Sequence, residues 1–144
     1  MVTVRPAPPE HYPWIASRAN LVIGSEFRAI EAIDGLGRIH GMVGYDGWCP
    51  GSVAMHVAMD NPVVLRSLLR PGFGLPFLEL GIPLVKGTVL SNNPRALDLD
   101  LHLGFKQVAT LKDWWAPGVD IVLLEMRKER LTIGSCSLSS SFRG

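Results

Sequence analysis

Apolar and polar residues alternate along several short runs of the chain, which is the pattern of half-buried strands. The clearest run is 52–59, where every odd-numbered position holds valine or methionine and the side chains between them face the other way. Two apolar runs at 27–34 and 38–46 flank a glycine-containing turn at 34–37, and together they predict a hairpin. Further strands are predicted at 2–5, 82–90, 105–112 and 119–127.

Three helices are predicted between these strands. The first opens at Pro8-Pro9-Glu10, and the second follows Asn61-Pro62, where the asparagine can cap and the proline needs no amide in the first turn. Pro71 and two glycines in the segment 70–74 are expected to interrupt the second helix, because proline cannot donate and clashes with the preceding turn. The third helix runs from a cap at Asn93 to Gly104.

This order of elements predicts an α+β fold with a mixed, mostly antiparallel central sheet flanked by helices. One parallel junction is expected, between the fourth and fifth strands, because a helix connects them. A single domain is predicted over 1–130. The segment 131–144 is rich in serine and has no apolar periodicity, so it is expected to lie outside the domain core as a tail or local extension.

Composition limits the function classes. The length of 144 residues suits one domain, and 47% apolar residues suffice for a core. A formal net charge of +1 gives no field that would attract nucleic acid or an anionic membrane. Neither a secretory signal nor a membrane span is visible, so a cytoplasmic protein is expected. Cys49 and Cys136 lack metal-site spacing and are interpreted as free thiols, and no metal site is predicted.

The segment from Asn93 to Phe105 reads N-x-x-A-x-x-L-x-x-x-x-G-F, and it resembles motif B of the GNAT acetyltransferase superfamily. The order of strands and helices up to Arg127 is also similar to that superfamily. The resemblance implies a helix lying along the pantetheine arm of acetyl-coenzyme A. It further implies transfer of an acetyl group from acetyl-CoA to an amine acceptor, either a small molecule or a protein, by direct attack.

Two positions depart from the superfamily pattern. Family members often carry a tyrosine, the usual general acid, where this chain has Asp100. Their glycine-rich pyrophosphate loop follows the fourth strand, whereas the segment 60–66 here contains no glycine and includes Pro62. Weak binding of acetyl-CoA is therefore expected. The alternative is a GNAT-fold binding or interaction protein with little or no catalytic activity, because a fold does not fix a function.

The resemblance also implies the residues that would contact the donor. Backbone amides near Val57, Ala58 and Met59 would meet the acetyl carbonyl and the pantetheine arm. Arg66 could reach a phosphate, or it could be a solvated residue of the helix surface. Asn93 is a helix cap that could also contact the arm or the acceptor.

Two residues are candidates for proton transfer. His56 lies on the fourth strand, opposite the valine and methionine face, and a histidine can accept a proton near neutral pH. Asp100 could donate a proton only if desolvation or a nearby negative charge keeps it protonated. Otherwise it is an ionised surface aspartate near Arg95 or His102. On this basis His56 is expected to matter more for turnover than Asp100.

Trp114 and Trp115 form an unusual pair in the predicted loop between the last two strands. They could anchor that loop onto the core, since loop tryptophans often do so. Alternatively, they could form an aromatic rim for an acceptor or a contact surface for a second subunit, which would make a homodimer. The sequence leaves these alternatives open.

Overall fold

The computed structural model describes residues 1–130, and these form a seven-stranded sheet in the order β1-β2-β3-β4-β5-β7-β6. All neighbouring strands are antiparallel except β4 and β5, which are parallel. The α+β class and the mixed, mostly antiparallel sheet are therefore confirmed. The strands are β1 Thr3–Pro6, β2 Arg28–Ile33, β3 Ile39–Asp46, β4 Ser52–Met59, β5 Leu84–Leu90, β6 Lys106–Ala116 and β7 Val119–Arg127.

Three α-helices flank the sheet, and short turns of other helix types adjoin two of them. A 3₁₀ turn at Pro9–His11 leads into α1 (Tyr12–Ala19). Another at Pro62–Val64 leads into α2 (Leu65–Gly74), which continues as a π-helical turn at Leu75–Glu79. The third helix is α3 (Pro94–Leu103). It is capped as predicted, with the Asn93 side chain accepting from the Ala96 amide and Gly104 at φ 114°. Among the described residues, no helix has the length and apolarity needed to cross a membrane.

The helices lie on opposite faces of the sheet. A Cβ atom on Gly44 of β3 would collide with the Phe27 ring and with Ile15 of α1, which defines the α1 face. A Cβ atom on Gly41 would instead meet Leu68 and Val64 beside α2. The α3 side is the same as the α2 side, because the buried cluster around α2 includes Leu103, Phe105, Leu68 and Phe73. We call this second side the α2/α3 face.

The predicted interruption of the second helix at 70–74 is wrong. Helix α2 runs through Pro71 to Gly74, and the irregularity comes one residue later, where the π-helical turn begins. Pro71 removes the donor for the Ser67 carbonyl, but Ser67 is exposed, so water can solvate that carbonyl. At Gly72 the helix packs beside the sheet, and a Cβ there would make an ordinary contact with Val43 at 3.5 Å.

The Tyr45 hydroxyl replaces a hydrogen-bond donor that a second proline, Pro76, lacks. Pro76 has no amide hydrogen for the Gly72 carbonyl, its α-helical acceptor four residues earlier. The buried Tyr45 hydroxyl donates to that carbonyl at 2.6 Å. Burial raises the pKa of Tyr45, so the hydroxyl keeps its proton. The helix therefore tolerates two prolines because solvent satisfies one orphaned carbonyl and a core side chain satisfies the other.

Strands β4 and β5 share only three residue pairs, from Ser52↔Leu84 to Ala54↔Lys86. Beyond this point β4 continues along β3 to Met59, and β5 continues along β7 to Leu90. The two strands are therefore parallel and splayed at one end, as predicted. Strand β6 extends beyond its predicted end to Ala116, so both tryptophans lie on the strand rather than in a loop. The predicted serine-rich segment 131–144 lies outside the described residues.

The close approach at Gly44 yields a stability prediction. Gly44→Ala would force the buried Phe27 ring and Ile15 to move, because the added Cβ overlaps the ring. We expect the free energy of unfolding to fall by about 1–3 kcal/mol, the usual cost of overpacking. Gly51→Ala is the matched control, since a Cβ there meets nothing within 4 Å. Urea unfolding of both variants provides the measurement, and equal midpoints would contradict the packing described.

Candidate active site

The parting of β4 and β5 opens a cleft of about 400 Å³ that is lined from both faces of the sheet. Its side walls are the separated ends of the two strands. Residues 18–21, at the end of α1 and just after it, close it on the α1 face. Helices α2 and α3 close it on the other face, and Trp115 lies at its rim. A molecule in this cleft would therefore contact both faces of the sheet at once.

His56 lies in this cleft and is paired with a carboxylate that the sequence did not reveal. It stands opposite Gly44 in the β3–β4 ladder, so its side chain is on the α1 face. Its Nε2 lies 2.8 Å from Oδ1 of Asp46. Because an ionised carboxylate only accepts, Nε2 carries the hydrogen and Nδ1 is left with a lone pair. This arrangement can accept a proton at Nδ1 and stabilise the resulting imidazolium.

Asp46 and His56 are brought together by the register of β3 against β4. In that register Asp46 pairs with Ala54, two residues from His56, so the two side chains are diagonal neighbours on one face. Pattern alone gives the faces of each strand, but it does not give the offset between strands. The pair could be found only after that offset was known.

Asp100 lies in the same cleft on the α2/α3 face. It lines the cleft from α3 together with Leu99 and Leu103. Burial raises the pKa of this carboxyl to about 6. The side chain is half-buried in the cleft lining, and desolvation rather than a charge on Arg95 or His102 causes the shift of its pKa. A carboxyl of this kind carries a proton over part of the physiological pH range.

The other predicted contacts divide between the cleft and its surroundings. Asn93, Val57 and Met59 line the cleft. The Ala58 side chain instead packs against the buried cluster of the α1 face, so only its backbone remains a candidate contact. Arg66 is exposed and lies outside the cleft lining. Its predicted contact with a phosphate therefore has no support from the geometry.

The end of α1 carries an arginine that is already engaged. Arg18 donates from Nε and Nη2 to the two Asp60 carboxylate oxygens, both at 2.9 Å. Its guanidinium also lies 3.8 Å from the centre of the Trp14 ring and donates to the Trp14 carbonyl. The Arg18 hydrogen bond lowers the pKa of Asp60. This pair ties α1 to the end of β4 beside the cleft.

Trp114 and Trp115 are 70% and 50% exposed, so they do not anchor a loop onto the core. The β6–β7 connection is instead held by polar contacts. Asp113 accepts from the Gly118 amide at 2.8 Å, and its own amide donates to Asp120 at 3.0 Å. Trp115 is left free to form part of the cleft rim, one of the alternatives that the sequence allowed.

No family model and no curated protein matches the chain. Among solved structures, it is similar to spermidine N-acetyltransferase from Vibrio cholerae in complex with CoA and spermine. That match has 13% identity and a TM-score of 0.72, and it covers 90% of this chain and 96% of that one. The chain therefore shares the fold of this N-acetyltransferase. The expectation drawn from the segment 93–105 is thereby confirmed at the level of the fold.

Two further structures of the Vibrio cholerae enzyme agree with this result. The spermidine/spermine N-acetyltransferase SpeG in complex with manganese ions is 14% identical with a TM-score of 0.74, covering 88% of this chain and 92% of that one. A dodecameric structure in an intermediate state is also 14% identical, with a TM-score of 0.72, covering 88% and 93%. At such identities the likeness concerns the fold alone.

The half-buried Asp100 carboxyl gives a prediction of pH-dependent stability. An unfolded aspartate ionises near 3.8, whereas Asp100 in the folded state ionises at about 6. Between these values the unfolded chain has lost a proton that the folded chain keeps, so stability falls as pH rises. Asp100→Asn should therefore be more stable than the unmodified protein at pH 7, by about 1–3 kcal/mol, and the advantage should shrink toward pH 4.

The matched control for this prediction is Asp98→Asn. Asp98 is an exposed residue of the same helix. Urea unfolding at several pH values measures all three proteins. An advantage of Asp100→Asn that stays constant from pH 4 to pH 7, or that Asp98→Asn shares, would contradict the burial of this carboxyl.

Proposed function

We propose that residues 1–130 form an N-acetyltransferase domain that transfers an acetyl group from acetyl-CoA to an amine by direct attack. The observation that carries the proposal is the cleft between β4 and β5, which has His56 on one face of the sheet and Asp100 on the other. Direct transfer needs a group that removes a proton from the amine and a source of a proton for the departing thiolate. These two residues would meet those needs from opposite sides.

The donor would occupy the gap where the strands part. Acetyl-CoA supplies an acetyl group activated as a thioester when it is bound. Residues 55–59 of β4 have no ladder partner on the side of β5, so backbone amides on that edge are available to a carbonyl oxygen. Fixed amide dipoles stabilise the negative charge that develops on such an oxygen. Asn93 and the apolar side of α3 would hold the arm of the donor.

His56 would act as the general base. Its Nδ1 takes a proton from the acceptor ammonium, and the amine nitrogen then forms a bond to the acetyl carbon. Asp46 holds the ring through the 2.8 Å contact to Nε2 and stabilises the imidazolium that forms. As the carbon–sulfur bond breaks, the nitrogen releases its second proton to water and the new amide is complete, so no covalent enzyme intermediate is needed.

Asp100 would supply the proton that the departing thiolate takes up. It occupies the position where the resemblance implies a tyrosine, and burial raises its pKa to about 6. At pH 7 roughly one molecule in ten would hold this proton, from the titration curve of such a group. A thiolate can also take a proton from water. Asp100 should therefore contribute less than His56 at neutral pH.

The acceptor is an amine whose identity is open. The solved Vibrio cholerae enzymes are named for spermidine. Among the residues lining the cleft here, Asp100 is the one carboxylate, and Arg18 and His56 are basic. Asp60 matches the Arg18 charge and Asp46 contacts the His56 ring, so these charges do not select between a monoamine and spermidine. The exposed Trp114 on edge strand β6 supports a homodimer as a further proposal.

A second candidate is a GNAT-fold binding protein without this activity. The observation that favours it is the segment 60–66, which lacks the glycines of the superfamily's pyrophosphate loop. Isothermal titration with acetyl-CoA tests the first step. Release of free thiol from acetyl-CoA across a panel of amines, including spermidine, then tests transfer. Binding without turnover on the whole panel would favour the second candidate.

The catalytic proposal predicts the effect of two substitutions. His56→Ala should lower turnover about 100-fold, the usual cost of losing a general base. Asp46→Asn should lower kcat about 10-fold and leave both KM values unchanged, since it orients the base without contacting substrate. His40→Ala is the matched control, because His40 forms a similar 2.8 Å contact to Asp34 outside the cleft.

Turnover is measured by thiol release, with circular dichroism to verify that each variant is folded. Asp100→Asn at pH 7 should cost less than about 10-fold, because the carboxyl is mostly ionised there. Full activity of folded His56→Ala together with loss of activity in Asp100→Asn would reverse the assigned roles.

A further inference from the structure

The start of α2 is where the superfamily's diphosphate site would lie, and its backbone donors are already used. A helix start binds anions through amides that lack a partner within the helix. Here the Asp60 and Asn61 amides both donate to the His40 carbonyl, at 2.9 and 3.4 Å. Pro62 has no amide hydrogen. The segment between the strand and the helix therefore offers no free donor over its first three positions.

The next three amides are also satisfied, and Asn61 accounts for two of them. The Val63 amide donates to its side-chain oxygen and the Val64 amide to its carbonyl, each at 3.1 Å. The Leu65 amide donates to the Pro62 carbonyl. Every backbone donor from Asp60 to Leu65 thus has a partner within the described chain. We call this segment the closed turn.

The side chains that line the cleft near the closed turn do not replace those donors, and Arg66, next along the chain, lies outside that lining. The Asp60 carboxylate would repel a diphosphate, and its two-point contact with Arg18 occupies the nearest guanidinium of the cleft wall. Stacking on Trp14 fixes that guanidinium further. Because Arg18 is exposed and already paired with Asp60, a phosphate would only replace one charge contact with another, so little binding energy would be gained.

The inner part of the same cleft has the opposite character. Apart from Asn93 and Asp100, its wall on the α2/α3 face is apolar and includes Leu65, Leu69, Phe73, Leu99 and Leu103. The strand edge at 55–59 offers peptide groups that a chain containing amides can pair with. An uncharged arm that carries amides suits these surroundings. A diphosphate does not suit the closed turn.

We propose that the cleft recognises its donor through the S-acyl pantetheine arm, and that the diphosphate and nucleotide of coenzyme A contribute little to binding. This inference rests on the proposed function and adds which part of the donor the cleft recognises. The donor class is then any S-acyl pantetheine with an unhindered arm. In this site the affinity comes from the strand edge and the apolar wall.

Isothermal titration of the unmodified protein with CoA and with pantetheine tests the proposal without any acceptor. The two dissociation constants should agree within about 10-fold, and each should change less than about 3-fold between 50 and 300 mM salt, because few charge contacts form. Once an acceptor is known, acetyl-CoA and S-acetylpantetheine should likewise give kcat/KM values within about 10-fold of each other.

The possible outcomes separate the two proposals. Binding of CoA more than 100-fold tighter than pantetheine would overturn this inference and leave the acetyltransferase proposal standing. Failure of both ligands to bind would overturn both proposals. Similar dissociation constants for CoA and pantetheine, insensitive to salt, support both proposals.

A substitution that opens the closed turn gives a gain-of-function test. In Asn61→Gly/Pro62→Gly the turn regains one amide hydrogen and loses the side-chain acceptor that occupies the Val63 amide. Affinity for CoA should rise at least 5-fold, whereas affinity for pantetheine should stay the same. Pro117→Gly, in the exposed β6–β7 turn, is the matched control. A folded double variant with no gain for CoA would contradict the inference, and if the variant does not fold, the titrations of the unmodified protein still decide.

Discussion

The site depends on how β4 and β5 are held by their outer neighbours. Each strand is paired along most of its length, β4 with β3 as far as Met59 and β5 with β7 as far as Leu90. With each other they share three pairs. Because paired strands twist together, two strands that follow different partners diverge once their own pairing stops. The side walls of the cleft are therefore framed by two ladders.

The same divergence separates the two residues proposed to transfer protons. Alternation along β4 turns His56 toward α1, while α3 presents Asp100 from the other face. Side chains on opposite faces of an intact sheet would be shielded from each other by backbone, but here the backbone is absent from the gap. A single bound molecule can thus contact both groups, and each keeps its own surroundings. His56 has a charged partner in Asp46, whereas Asp100 is desolvated.

Much of the fold was predictable because local rules determine it. Strict alternation gave the bounds of β4, and an asparagine followed by proline gave the start of α3. The failures depend on solvent exposure or on partners distant in sequence. Helix α2 continues past Pro71 because Ser67 faces solvent, and it tolerates Pro76 because Tyr45 reaches the Gly72 carbonyl. In the site, His56 and Asp100 were found as candidates from pattern and resemblance. Asp46 was missed because its contact needs the strand register.

The burial of Asp100 bears on the choice between an enzyme and a binding protein. A carboxyl with a pKa raised to about 6 is a group whose ionisation costs folding free energy at neutral pH. Leu99 and Leu103 of α3 line the cleft with it, and another leucine in its place would avoid the cost. Groups held in such surroundings concentrate at functional sites, where the shifted protonation is used. A module that only binds through the apolar wall has no use for this proton. A transferase that must protonate a thiolate does, and the cleft that holds Asp100 also holds a histidine with a carboxylate behind it.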